Sequence, residues 1–250
     1  MLFRSATSTR ASRIGGAGAL AAVAALAAAP WFASSADLNL LSQMFTYLAL
    51  ATLWNLLAGF SGLVSVGQHA WVGLGGYCLF ALTIFWGLHP LAAIFAAGVI
   101  GAVLALPAAG LLFRLRGSYF AIGSWVLAEV MRLLASQVSA LGGGSGTSLP
   151  VRVVTSMAAS RQQREFLIYW TSLALAVVIV GLTIWLLRSR WGLSLRAIHA
   201  NEQAAASSGV ETTKTRLVVY VLAAFGTAMV GALIFLQKLR ISPDRKSTRL

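Results

Sequence analysis

Seven long apolar runs, separated by short polar stretches, organise this chain: 15–33, 40–60, 70–88, 91–113, 118–135, 166–187 and 217–236. Each approaches the roughly 20 helical residues that a bilayer core of about 30 Å requires. None alternates apolar and polar positions as the strands of a membrane barrel do. The pattern predicts an all-α protein, a polytopic membrane helix bundle with about seven transmembrane helices visible.

Composition strengthens that reading. Of 250 residues, 58% are hydrophobic and 10% charged, and the mean hydropathy is +0.81. A soluble domain keeps about a quarter of its residues charged, so a cytosolic enzyme is excluded. Nineteen Lys and Arg against six Asp and Glu give a formal charge of +13. The basic residues sit in clusters between apolar runs, which fits membrane topology and not a nucleic-acid groove. Placing Arg4, Arg10 and Arg13 in the cytoplasm gathers ten basic residues on that side. These include Arg114 and Arg116, then Arg188, Arg190, Arg196, Lys214 and Arg216; Arg152, Arg161 and Arg164 fall outside. The positive-inside rule therefore predicts a cytoplasmic N-terminus. The single cysteine, Cys78, rules out an intrachain disulfide and a cysteine-based metal cage.

The organisation expected is a cytoplasmic segment over 1–14, a membrane domain over 15–243 with a long polar loop at 188–216, and a polar tail over 244–250. The first run has a rival reading as a secretory signal, since small residues follow its alanine-rich core. Its length favours a retained span. The tail, DRKSTRL, puts basic residues on the side the rule disfavours, and it reads as a truncation or a junction.

Recognisable enzyme chemistry is missing from the sequence. GGGSGTS at 142–148 lacks the lysine and preceding strand of a phosphate loop, and His69, His89 and His199 are too scattered for a zinc site. No cofactor or metal is expected. GLVSVGQHAWVGLGGY, residues 62–77, instead holds five glycines beside Ser65, Gln68 and His69. Glycine at this density lets a helix break or lets backbones approach closely. Broken helices in membranes are tolerated where they line a protein-buried or aqueous path, so path lining and tight packing both stand. Glu129 and Arg132 lie inside the fifth run, where a charge costs about 2.5 to 3.5 kcal/mol at the bilayer centre. Their i,i+3 spacing lets them pair, either as part of a translocation path or as a self-satisfied pair between helices. Pro107 should kink or soften the fourth span. Trp31, Trp71, Trp86, Trp170 and Trp185 are expected near span ends as headgroup anchors.

In the polar loop, LRAIHANEQAAASSGV at 195–210 combines helix formers with a polar face bearing Arg196, Asn201 and Glu202, small residues Ala204 to Ala206, and Gly209 as a stop. It predicts a short helix along the membrane surface whose small residues seat in another protein. Ala205, in their middle, is the expected point of closest approach.

These blocks resemble one family. The stretch at 62–77, LRGSYFAIGSWVLAEVMRLLA at 115–135, GGGSGTSLP at 142–150 and the long segment from Ser189 to Pro243 are similar, in order, to the M-type permease subunit of branched-chain amino-acid ABC importers. The resemblance implies a bacterial inner-membrane permease. It would form half of a pore with a second permease subunit, driven by two cytoplasmic ATPase subunits and supplied by a periplasmic substrate-binding protein. Further membrane spans would follow Pro243. The resemblance makes 188–216 the ATPase-coupling loop, with Arg196, His199, Asn201, Glu202, Ala204, Ala205 and Gly209 as its residues. His199 and Ala200 stand where the family usually has an arginine followed by an acidic residue. Ser65, Gly67, Gln68, His69, Gly75, Tyr119, Glu129 and Arg132 are the candidates for the path. Branched-chain or other amino acids, amides and urea are the substrates to consider. An ion-coupled secondary transporter is the alternative, weakly supported because the one carboxylate inside these spans already has an arginine beside it. A membrane-embedded enzyme would need clustered His, Asp or Glu near one interface, and no such cluster is present.

Overall fold

The computed structural model describes residues 10–241 apart from 116, 142, 144–145, 151–152, 154–156 and 158–159, with only the backbone of 10–15 and 161. Arg4, Arg116, Arg152 and the tail at 244–250 lie outside the described residues. All seven apolar runs are helical. Helix α1 (Arg10–Ala28) ends in a 3-10 turn, and α2 (Ser35–Asn55) is prolonged by a π turn over Leu56–Phe60. Then follow α3 (Gln68–Phe85), α4 (Pro90–Leu112), α5 (Ser118–Ser136) and α6 (Arg161–Arg188). Two short helices, α7 (Arg190–Ala200) and α8 (Glu202–Ser207), occupy the polar loop before α9 (Thr212–Lys238). The all-α expectation holds.

The number of spans is smaller than expected when judged by length and apolarity. Among the described residues five stretches qualify: Ser35–Phe60, Pro90–Leu112, Ser118–Ser136, Gln162–Arg188 and Thr212–Lys238. The N-terminal run contributes the shorter apolar helix Gly16–Trp31. Helix α3 has 18 residues and opens with the polar pair Gln68 and His69, which dilutes its apolar character.

Local chemistry sets several helix starts. Ser34 and Asp37 form a reciprocal capping box ahead of α2. Pro90 occupies the first turn of α4, where its missing N–H is not needed. Helix α4 continues through Pro107 to Leu112. Leu239, in the left-handed conformation, ends α9.

Helix α9 is the centre of the bundle. Its apolar window is 61% buried, against 17% for α5, which packs mainly along α3 and leaves much of its surface uncovered. Apolar helices gain little from one another by exclusion of water inside a bilayer, so close backbone approach has to supply the contact. Glycine provides it where α3 crosses α9. A Cβ on Gly75 would overlap the Ala228 carbonyl, and one on Gly231 would overlap that of Val72. On the far side α2 packs on α6 through an edge-to-face contact of Phe45 and Tyr169, 5.7 Å between centroids. Tyr169 also donates to Leu26 O at 2.6 Å, which tethers α1.

The core divides into two layers. Leu79, Phe80, Val230 and Leu233 belong to one; Trp71, Phe120, Leu195 and Tyr220 belong to the other. Along α9 the seam falls at Gly226 to Ala228. Beyond the C-terminal end of α9 a two-stranded antiparallel ladder forms, in which Thr147 pairs with Ile241 and Ser148 with Arg240. Two residues per strand carry no sequence periodicity, so no local pattern encodes this clasp.

Trp71 departs from the expected headgroup position. It is 4% exposed and packs edge-on against Tyr220 at 6.1 Å. Trp31, Trp86 and Trp185 are exposed, and Trp170 is more than a third exposed.

Candidate functional site

The glycine-rich segment breaks the helix. After the π turn, Ser61 to Gly67 runs without helical structure and alternates buried and exposed residues along an extended path. Gly62 takes a positive φ of 70° at its start. Two bonds give the depth of this path. Arg216 Nε, in the first turns of α9, donates to Ser61 O at 3.4 Å, and Gln68 Nε2 donates to Thr227 Oγ1 at 3.0 Å. Arg216 and Thr227 are eleven residues apart, a rise of about 17 Å along α9. Seven extended residues reach about 23 Å, enough to climb that distance. Helix α3 therefore begins halfway up α9, in the middle of the helical layer.

Extended backbone at this depth needs partners, because lipid offers none. Ser124 of α5 supplies two: its Oγ accepts from Val66 N at 3.1 Å and Gly67 N at 3.3 Å. The contact demands glycine, since a Cβ on Gly67 would overlap the Ser124 carbonyl. Trp54 Nε1 donates to Ser65 O at 3.3 Å. His69 Nδ1 lies 3.1 Å from Val66 O. Ser65 is buried, and its carbonyl serves the structure of the break.

Above the break, α3 and α5 present a polar face. His69 is exposed, and the Glu129–Arg132 pair, which starts at the residue after Ala128, is exposed as well. Arg132 donates from Nε to Glu129 Oε2 at 3.0 Å and from Nη2 to Oε1 at 2.6 Å. His69, Arg132 and Tyr77 line a cavity of about 180 Å³, closed by apolar groups such as Leu74, Met131 and Phe235. Among the described residues, two polar side-chain atoms are buried without a hydrogen-bond partner, Gln68 Oε1 and Tyr77 OH. A larger apolar recess of about 590 Å³ lies between α3, α4 and α5, with Pro107 and Tyr77 in its wall.

Of the path candidates, Gly67, Gln68, His69, Glu129 and Arg132 cluster around the start of α3. Gly75 does not; it serves the crossing with α9. Tyr119 is 72% exposed at the beginning of α5, more than one turn before Ser124. Sequence reasoning missed Ser124, Thr227 and Tyr77. Each is a polar side chain inside an apolar run, which is a usable signal, yet Ser and Thr are common in packed spans and their partners are not readable from one sequence.

The polar loop folds as two helices where one was expected. Asn201 separates them, and its Oδ1 caps α8 by accepting from Ala204 N at 3.0 Å. Helix α7 buries Gly192, Leu195 and Ile198 and exposes Arg196 and His199. Gly209, with φ of 84°, lets the chain turn after α8. Glu202 turns inward to Arg216 of α9, and Ala205 is only 4% exposed. Burial removes Ala205 from the expected point of approach. One turn of α8 aims its Cβ at the protein's own surface, and Ala204 and Ala206 are the exposed neighbours.

A sequence profile of the family described as branched-chain amino acid transport system / permease component matches residues 37–250. The high-affinity branched-chain amino acid transport system permease protein LivM of Salmonella typhimurium is 25% identical over 237 residues, covering 86% of this chain and 56% of that protein. The protein of the same name from Escherichia coli is 26% identical over 253 residues, covering 90% and 58%. The chain thus spans somewhat over half the length of the curated relatives it matches. No solved structure matches.

Proposed function

This chain belongs to the permease-component family of branched-chain amino acid transport systems, and from that premise we propose that it forms one wall of the pore of an ABC importer. The observation that carries the reading is the Glu129–Arg132 pair. It stands exposed on α5, beside a helix that begins in mid-layer. Charged side chains at that depth face a bundle interior or water, not lipid, so a second permease subunit would complete the pore across this face. The lining suits an amino acid with an aliphatic side chain: Arg132, held by Glu129, offers a polar group beside Leu74 and Met131. The curated relatives' names point to branched-chain amino acids.

The arginine and lysine bias supports a cytoplasmic N-terminus and, with it, α7 and α8 on the cytoplasmic side. There Arg196, His199, Ala204 and Ala206 would meet the ATPase subunits, and a periplasmic binding protein would dock at the opposite end and set specificity. The setting is a bacterial inner membrane. Reconstitution of the full-length permease with its partner subunits tests the function. Leucine uptake that needs ATP and loaded binding protein, and that ionophores leave unchanged, is expected. Uptake that persists without ATP and collapses with the ion gradient would replace this reading with a secondary transporter.

A further inference from the structure

We propose that Arg216 mechanically links the α7–α8 surface to the broken helix, so that an ATPase pressing on α8 moves the extended segment leading to the pore. The inference rests on reading α7–α8 as the ATPase-docking surface. One guanidinium joins three elements. From α9, Arg216 Nη1 donates to Glu202 Oε1 at 2.6 Å and Nη2 to Glu202 Oε2 at 3.0 Å, gripping the first residue of α8. Its Nε donates to Ser61 O at 3.4 Å, at the foot of the extended segment.

The geometry is that of a transmitter. A bidentate arginine–carboxylate pair fixes orientation as well as distance, which a lysine ammonium cannot do. Glu202 is the more exposed partner, at 51% of its side chain, and Arg216 the more covered, at 22%. The bond therefore runs from the surface inward. Ser61 is fully buried and donates from Oγ to Leu57 O at 2.7 Å, so a pull on its carbonyl acts on an anchored residue. The top of the segment is held by Ser124 and, through Gln68, by Thr227. Displacement at the foot is thereby delivered to the start of α3, next to His69.

The neighbouring Lys214–Glu211 pair supplies the contrast. It is nearly as short at 2.8 Å, but both partners are highly exposed and lie three residues apart on one helical turn. It connects nothing beyond α9, and a pair of that kind contributes little.

The test uses the full-length transporter with all its subunits in proteoliposomes. Uptake per ATP hydrolysed is measured for Arg216→Lys, Glu202→Gln and the control Lys214→Gln, together with hydrogen exchange at residues 61–67 with and without a non-hydrolysable ATP analogue. Arg216→Lys and Glu202→Gln are expected to keep copurifying ATPase and to lose about ten-fold in uptake per ATP, within the usual range for coupling between sites. The nucleotide-dependent change in exchange at 61–67 should vanish in both and persist in Lys214→Gln. An undiminished nucleotide response at 61–67 in Arg216→Lys overturns the link. Failure of the docking reading has a different signature: Ala204→Trp would leave ATPase copurification intact.

Discussion

Gln68 Nε2 donates to Thr227 Oγ1 over 3.0 Å, and this bond sets the level at which α3 begins. Thr227 is fully buried and lies at the seam between the two layers of the core. A helix that would otherwise start at the membrane surface starts in mid-layer, with His69 at its exposed side. The break in α3 and the polar face on α5 are therefore one feature, held together by Ser124.

The crossing of α3 and α9 depends on the absence of a side chain at Gly75. Gly75→Ala places a Cβ into the Ala228 carbonyl and should destabilise the protein by about 1–3 kcal/mol, as overpacking does. Gly73→Ala, where a Cβ meets nothing within 4 Å, should be neutral. Thermal unfolding of the purified full-length permease in detergent checks both.

Ser124 is expected to matter more than its size suggests. Ser124→Ala keeps the helix but strips the acceptor from Val66 N and the buried Gly67 N, and an unsatisfied buried donor costs roughly 1–3 kcal/mol. Hydrogen exchange at residues 62–67 should accelerate in the variant while α9 remains protected.

Two adjacent alanines on α8 should respond differently to the same substitution. Ala204→Trp, on the exposed side, should leave membrane abundance unchanged and weaken ATPase copurification. Ala205→Trp, at a buried position, should lower the abundance of the permease itself through about 1–3 kcal/mol of overpacking. Quantitative immunoblotting of membranes and of affinity eluates separates the two.

Much of this was legible in the sequence, and the boundary has a physical cause. Apolar runs give helices in a membrane because every backbone group must be satisfied within its own segment, so seven runs became seven helices. The glycine cluster at 62–77 signalled a break or a close contact, and both occur: Gly67 serves the break and Gly75 the contact. Which glycine does which depends on the partners Ser124 and Ala228, 57 and 153 residues away, and no local pattern encodes those. The same holds for the inward turns of Glu202 and Ala205. Their polarity and size were readable, but the side of the helix they occupy depends on how α8 seats on α9. Trp71 lies in the core and not at a headgroup position because the level of α3 is set by a bond to α9, not by its own length.

Glu129→Gln and Arg132→Gln should each reduce assembled, transport-competent protein more than the double change does. Each single substitution removes the opposite charge that compensates its neighbour 2.6 Å away, whereas the double variant leaves two neutral amides. Uptake normalised to membrane abundance is the measurement.

On the proposed function, the face carrying His69 lines a water-filled path within the membrane layer. In a Cys78→Ala background, His69→Cys in the assembled full-length transporter should react with a water-soluble, membrane-impermeant thiol reagent, because thiolate forms only where water reaches it. Saturating substrate with loaded binding protein should slow that reaction, and Val178→Cys, exposed on the apolar surface of α6, should stay unreactive. A cysteine at 69 as inert as one at 178, with or without substrate, would contradict the account.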